Sequence, residues 1–177
     1  MLGVVHDHDL PFGVRLALSA VNVVVGFLFL RRTGVAGRAA GADIVRALPS
    51  IVASGIAYRL AEPDWPPVAI AVHDAFALLA LVSLATLGRS FAILPARRAI
   101  TVRGPYRLVR HPIYLAELGM LVTACATRGW VAAFAGLIAV VLLVAPRVLA
   151  EERLLAADPA YAAYRARVRY RLLPGVF

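Results

Sequence analysis

Long apolar runs dominate this sequence and constrain its fold more than any other feature. A helix that crosses a bilayer needs about 20 mostly apolar residues. The runs that approach or reach this length cover residues 11–30, 44–60, 68–87, 112–127 and 130–149. With 62% hydrophobic residues and a mean hydropathy of +0.80, the 177-residue chain has room for little else. We therefore predict an all-α fold, a polytopic transmembrane helical bundle of about five spans that forms a single membrane domain over residues 1–177.

The arginine positions orient these spans. The net charge is +9, and all 19 basic residues are arginine. Most of them lie in the loops after the first and third runs and in the tail after the fifth, segments that five spans place on one side. The positive-inside rule makes that side cytoplasmic. We expect a multi-pass protein of the inner or plasma membrane, with its N-terminus outside and its C-terminus in the cytoplasm, whose arginines meet anionic lipid headgroups rather than nucleic acid.

The tail from Ala150 to Phe177 is predicted to be an amphipathic helix over the cytoplasmic face. Tyr161, Tyr164, Val168 and Leu172 form one apolar stripe at helical spacing. Two interpretations stay open, and they are compatible. The helix lies in the membrane interface, or it forms a lid over the region of Arg110 and Glu151.

Polar residues gather just before the fourth run, in Gly104-Pro105-Tyr106-Arg107 and Arg110-His111-Pro112-Ile113-Tyr114. Proline is favoured at the first position of a helix, so we expect Pro112 to begin the fourth span with His111 as its cap. The free N–H groups and the helix dipole there favour an anion. A basic loop that only sets topology, with His111 and Tyr114 as interface anchors, explains the same residues at least as well.

Glu151 and Glu152 follow the fifth run. A short loop at Arg128-Gly129 makes the fourth and fifth spans an antiparallel hairpin, which brings this pair to the membrane level of Arg110 and His111. The pair forms a surface ion pair with a nearby arginine, or it binds a cationic ligand group. A cofactor that carries both a carboxylate and an ammonium group can bridge the two clusters.

Four further residues with ionisable side chains lie inside the apolar runs. Glu117 faces the same cleft as His111 or pairs with a neighbouring arginine, and the two interpretations have equal weight. His73 and Asp74 are intramembrane ionisable residues, for which we favour a structural pair between Asp74 and Arg15 or Arg59. The single cysteine, Cys125, excludes an intrachain disulfide and a cysteine-cluster metal site. We predict no metal site.

Taken in order, these motifs resemble the superfamily of isoprenylcysteine carboxyl methyltransferases and phospholipid methyltransferases. The resemblance covers about residues 88–174, and the family pattern R-H-P-x-Y-x-G followed by a Glu-Glu pair is matched except that Ala116 takes the glycine position. It implies binding of S-adenosyl-L-methionine by residues 88–177, without a Rossmann domain, in a pocket covered by the C-terminal segment. It also implies a lipophilic acceptor that enters from the bilayer.

The resemblance also implies residue roles. Arg110 and the start of the fourth span hold the methionine carboxylate, and Glu151 or Glu152 takes the ammonium group or a ribose hydroxyl. His111 and Tyr114 shape the pocket. The predicted cofactor-binding set is Gly104, Tyr106, Arg110, His111, Pro112, Tyr114, Glu151 and Glu152. The catalytic candidates are Arg169 and Arg171, which would orient a carboxylate acceptor, and Glu117.

The predicted function is methyl transfer to a lipophilic acceptor, either an isoprenylcysteine-like carboxylate, an aminophospholipid or another small lipophile. One alternative resembles the membrane sterol reductases, which share a G-x-x-R-x-x-x-H-P-x-Y-x-x-E element and use NAD(P)H. The glutamate pair and the short chain favour methyl transfer over that alternative. A second alternative is a non-enzymatic membrane subunit. The sequence leaves the acceptor and the oligomeric state open.

Overall fold

The computed structural model describes residues 10–31, 55–88 and 100–175, and within these ranges the chain is helical without a strand. The helices are α1 (Phe12–Arg31), α2 (Pro67–Leu87), α3 (Pro112–Ala126), α4 (Trp130–Leu155) and α5 (Pro159–Arg167). Residues 55–60 are also helical, and Gly104–Arg107 form a short 3-10 turn. The all-α prediction is confirmed for this part of the chain.

Proline starts three of these helices. Pro67, Pro112 and Pro159 each occupy a first-turn position, where the missing N–H has no helical partner in any case. At α5 the side chain of Asp158 adds a cap by accepting a hydrogen bond from the backbone N–H of Ala160 at 2.8 Å. The local sequence therefore sets where these helices begin.

The predicted runs match the helices in their starts better than in their ends. α4 continues six residues past the predicted end at Leu149, so both glutamates belong to the helix. The tail prediction is wrong beyond Arg167, where α5 ends and residues 168–170 leave helical geometry. The second predicted run, residues 44–60, lies outside the described residues except for its last six. Helix boundaries alone do not test how many helices cross a membrane.

Neighbouring helices pack in the order α1 on α2, α2 on α3 and α3 on α4. At one end of the bundle, here called the Trp65 end, Leu10 and Val14 pack with Trp65 and Ala124. At the other end, here called the tail end, a second cluster joins Leu28, Leu84, Leu87 and Tyr106. α1 and α2 therefore run in the same direction, from the Trp65 end to the tail end, and α3 and α4 form an antiparallel hairpin.

Two described helices, α2 and α4, are long and apolar enough to cross a membrane. Fewer than a third of the residues in the apolar part of each are buried within the protein. Large apolar side chains such as Leu78, Phe134 and Leu142 are instead more than 60% exposed. Exposed apolar surface on this scale differs from the buried core helix of a soluble protein and is suited to contact with lipid.

Candidate functional site

The turn that leads into α3 depends on Gly104. Its φ of 52° is one that glycine adopts without strain, and a Cβ at this position would lie 2.9 Å from Oγ1 of Thr86. This close approach holds Tyr106 at the end of α2, where it is buried against Leu84 and Leu87. Gly104 and Tyr106 thus position the segment that enters α3.

The tail lies against the start of α3. Pro112 begins the helix and His111 precedes it, as the sequence predicts, but the His111 side chain makes no capping hydrogen bond. Instead the backbone N–H groups of Arg110 and His111 donate to the carbonyls of Tyr170 and Arg171, each at 2.9 Å. These two N–H groups are therefore occupied by the tail, and an anion bound at this end of α3 would lie beside the tail.

Arg110 connects α3 to both α4 and the tail. Its Nε donates to Oε1 of Glu152 at 2.8 Å, and its Nη1 donates to the carbonyls of Val168 and Arg169 at 2.9 and 2.6 Å. The side chain is 5% exposed. Because these charge-assisted bonds join residues 42 to 59 positions apart, Arg110 holds three segments of the chain together.

Glu152 receives three positively charged or polar donors. Arg110 Nε and His111 Nε2 lie 2.8 and 3.3 Å from its Oε1, and Nε of Arg171 donates to its Oε2 at 2.9 Å. The carboxylate is 6% exposed. A buried carboxylate is stable only when charge partners replace its water, and these three groups supply that replacement.

Glu151, one residue earlier, points to a different set of partners. The hydroxyl of Tyr114 donates to its Oε2 at 3.2 Å. The guanidinium of Arg147 lies over the Tyr114 ring, 5.1 Å from its centroid, and its Nη1 is 3.7 Å from Oε2 of Glu117. Glu117 thus pairs with an arginine, which supports the second of its two predicted interpretations.

A cleft, partly open to solvent, lies at the tail end, and the space between its walls is about 320 Å³ when the part open to solvent is counted. Its walls come from the end of α2, the segment that leads into α3, the end of α4 and α5. The lining residues are Leu87, Ile100, Thr101, Tyr106, Arg110, His111, Glu151, Leu155, Tyr161 and Tyr164. Apolar walls with a few convergent polar groups are typical of small-molecule sites.

Two tyrosines of α5 face this cleft in different ways. The hydroxyl of Tyr164 donates to the carbonyl of Tyr106 at 2.8 Å. The hydroxyl of Tyr161 is buried and makes no hydrogen bond of good geometry with any described residue, although the Glu152 carboxylate is close to it. Burial, reinforced by the nearby Glu152 carboxylate, raises the pKa of Tyr161. The hydroxyl therefore stays protonated at neutral pH and can donate a hydrogen bond.

The structure brings most of the predicted cofactor-binding residues together. Tyr106, Arg110, His111 and Glu151 line the cleft, while Gly104 and Pro112 set the path of the chain. Tyr114 donates a hydrogen bond to Glu151 without lining the cleft, and Glu152 lies beside the cleft, also without lining it.

The three catalytic candidates lie at different places. Arg171 contacts Glu152, and Arg169 offers its carbonyl to Arg110 while its side chain is exposed. Glu117 lies further along α3, opposite Arg147.

Sequence reasoning missed Arg147 and Thr101. Arg147 carried a visible signal, since an ionisable residue inside an apolar run is a candidate for function and its spacing to Glu151 is one helical turn. Tyr161 and Tyr164 were predicted as part of an apolar stripe, with a lid over the region of Arg110 and Glu151 as one of its two interpretations, and both residues line the cleft. Thr101 had no signal.

A second polar cluster lies at the Trp65 end. His73 is fully buried. Its Nε2 is 2.9 Å from the Tyr58 hydroxyl, and its Nδ1 is 3.1 Å from Oδ1 of Asp74. The Trp65 ring meets it edge to face at 5.4 Å. Asp74 therefore has His73 as a partner, and the predicted pair with an arginine stays a prediction.

Comparison with known families gives one match. The model described as "Isoprenylcysteine carboxyl methyltransferase (ICMT) family" matches residues 69–157, just over half of the chain. The matched range contains the segment Arg110–Tyr114 and the glutamate pair, and so most of the cleft described above. A search of curated proteins gave no match.

Proposed function

This chain belongs to the isoprenylcysteine carboxyl methyltransferase family, and from that membership we propose that it transfers a methyl group from S-adenosyl-L-methionine to a lipophilic acceptor at the cytoplasmic membrane face. The observation that carries the proposal is the cleft at the tail end, which Arg110, His111 and Glu151 line beside the buried Glu152. The family is one of membrane methyltransferases, which favours this function over the reductase alternative.

The residues of the cleft fit the chemical groups of this cofactor. S-adenosyl-L-methionine supplies an electrophilic methyl group on a sulfonium, together with a carboxylate, an ammonium group and ribose hydroxyls. Glu151 offers a carboxylate to the ammonium group or a ribose hydroxyl, and Arg110 brings positive charge to the carboxylate. The buried hydroxyl of Tyr161 makes no hydrogen bond of good geometry in the described part of the chain, which supports the proposal by offering a further donor at the cleft.

In this proposal the protein acts mainly by positioning. Displacement at a methyl group requires the acceptor, the methyl carbon and the sulfur in line, and holding that geometry lowers the barrier substantially. Tyr114 orients Glu151 by its hydrogen bond, and Arg110 fixes the tail through Val168 and Arg169. Leu87, Ile100 and Leu155 give the cleft an apolar wall.

The acceptor is proposed to reach the cleft from the bilayer. An isoprenylcysteine-like carboxylate needs no general base, because the nucleophile is already an anion. The exposed side chain of Arg169, and Arg171 beside Glu152, would orient such a carboxylate. An aminophospholipid acceptor would instead release a proton. Of the three predicted catalytic residues, Glu117 is the candidate to accept that proton.

We further propose a single membrane domain of five spans with the tail end in the cytoplasm. α1 ends at the tail end, whereas the helical residues 55–60 lie at the Trp65 end, where Tyr58 packs, and this agrees with the predicted span over residues 44–60. The exposed arginines at positions 103, 107, 153, 165, 167 and 169 belong to the tail end. The positive-inside rule then gives an outer N-terminus and places α5 over the cytoplasmic face.

The test is isothermal titration of the detergent-solubilised protein with S-adenosylhomocysteine, beside a titration with NADPH. We expect micromolar binding of S-adenosylhomocysteine, weakened about tenfold or more in Glu151→Gln, because one charge-assisted hydrogen bond is lost. His73→Leu, at the opposite end, serves as the control and should keep its affinity. A folded protein that binds no S-adenosylhomocysteine would overturn the proposal, and NADPH binding would then favour the reductase alternative.

A further inference from the structure

Tyr161 and Tyr164 form a natural comparison within one helix of nine residues. Both lie on the face of α5 that packs with Leu155 and Val168, and they are 2% and 4% exposed. Their rings lie 6.0 Å apart, and both line the cleft. The two side chains therefore share their environment and their helix face.

Their hydroxyl groups differ in one respect. Tyr164 donates to the backbone carbonyl of Tyr106 and so ties α5 to the turn before α3. The hydroxyl of Tyr161 makes no hydrogen bond of good geometry in the described part of the chain, although the Glu152 carboxylate is close to it and Tyr161 is the more deeply buried of the two. Burying a hydroxyl without a partner costs free energy, and native structures rarely leave such a group unsatisfied.

We propose that the Tyr161 hydroxyl is a ligand-binding group, which hydrogen-bonds a polar group of the cofactor in the cleft that Glu151 also lines. This inference rests on the proposed function and extends it to a residue outside the predicted set. Tyr161 forms part of the wall of the cleft, and a ligand hydroxyl, carboxylate or ammonium group bound beside it would satisfy its hydroxyl. The unsatisfied hydroxyl is then a cost of the free protein that ligand binding removes.

The experiment compares Tyr161→Phe with Tyr164→Phe and with Tyr58→Phe at the Trp65 end. Thermal unfolding of each detergent-solubilised variant is measured without ligand, and affinity for S-adenosylhomocysteine is measured by titration. Phenylalanine keeps the ring, so each variant loses only one hydroxyl.

We expect Tyr161→Phe to bind S-adenosylhomocysteine about fivefold to tenfold more weakly than the wild type, as for the loss of one hydrogen bond. Its ligand-free Tm should be equal to or above that of the wild type, because an unsatisfied buried hydroxyl has been removed. Tyr164→Phe should lower the ligand-free Tm, since the Tyr106 carbonyl loses its donor. Tyr58→Phe should lower Tm and leave the affinity unchanged.

Repeating the titration with 5′-methylthioadenosine, which lacks the amino-acid portion, identifies the ligand group. An equal weakening for both compounds assigns Tyr161 to the nucleoside, and a weakening for S-adenosylhomocysteine alone assigns it to the amino acid.

Two results would overturn the inference. Unchanged affinity of Tyr161→Phe means that the hydroxyl does not touch the ligand. A fall in its ligand-free Tm as large as that of Tyr164→Phe means that the hydroxyl already has a protein partner, with Glu152 the nearest candidate. Failure of the wild type itself to bind S-adenosylhomocysteine is a different result, which removes the proposed function and this inference with it.

Discussion

Each end of the bundle contains a buried histidine beside a carboxylate, yet the two clusters are built differently. At the Trp65 end, His73 contacts Asp74, its neighbour in sequence, and Tyr58, 15 residues away. At the tail end, His111 shares Glu152, 41 residues away, with two arginines. The first cluster is nearly local, whereas the second exists only when α3, α4 and the tail come together.

The carboxylates also differ in exposure. Asp74 is 39% exposed and Glu152 is 6% exposed. A half-exposed carboxylate keeps part of its water, so its partner adds little, whereas a buried one depends on its partners for stability. A buried histidine is therefore not by itself a sign of a site. The cleft, and the convergence of distant charged residues beside it, distinguish the tail end.

The largest effect should come from Glu152→Gln at the tail end. The change keeps the volume but removes the negative charge that Arg110 and Arg171 face, and breaking a buried ion pair costs about 3 kcal/mol. Chemical denaturation in detergent should show this loss of stability, with S-adenosylhomocysteine binding lost as well because Arg110 no longer holds the tail. Stability within about 0.5 kcal/mol of the wild type would show that Glu152 is not the centre of this cluster.

An intermediate effect is expected for His73→Leu at the Trp65 end. The variant loses the contacts with Tyr58 and Asp74, which should lower the free energy of unfolding by about 2 kcal/mol. Its affinity for S-adenosylhomocysteine should stay at the wild-type value, because His73 lies at the opposite end from the cleft. A weaker affinity at unchanged fold would contradict the separation of the two clusters and connect the Trp65 end to function.

The smallest effect should come from Glu62→Gln, also at the Trp65 end. Oε1 of Glu62 lies 3.3 Å from Nη1 of Arg128, and the two side chains are 46% and 40% exposed. An exposed ion pair contributes about 0.5 kcal/mol or less, and salt screens it. The free energy of unfolding of this variant should be slightly below that of the wild type at low salt and equal to it at high salt. A loss comparable to that of Glu152→Gln would remove the contrast between exposed and buried carboxylates.

The sequence was sufficient to predict the α3–α4 hairpin and its main consequence. Apolar runs on either side of Arg128-Gly129 predicted two antiparallel helices that bring Arg110 to the level of the glutamate pair. The distance of 2.8 Å between Arg110 Nε and Glu152 Oε1 confirms that proximity. The prediction succeeded because helix length and a short turn are local properties that together fix which residues face each other.

Which of the two glutamates lines the cleft and which binds Arg110 was not predictable in this way. Adjacent residues on a helix point about 100° apart, so the rotation of α4 decides which carboxylate lines the cleft. That rotation depends on packing against α3. The tail shows the same limit, because the stripe of Tyr161, Tyr164 and Val168 continues with helical spacing past the end of α5. Arg110 binds the carbonyls of Val168 and Arg169, and no local pattern reports a partner 58 residues away.

The α3–α4 hairpin also determines where this chain tolerates changes in length. One residue inserted between Pro146 and Glu151 would turn both glutamates by about 100° and shift them by about 1.5 Å along the helix, which separates Glu152 from Arg110. The same insertion at Arg128-Gly129, the exposed turn between the helices, would lengthen the turn without rotating α3 or α4. Natural or engineered insertions should therefore accumulate at this turn and be absent between Pro146 and Glu151.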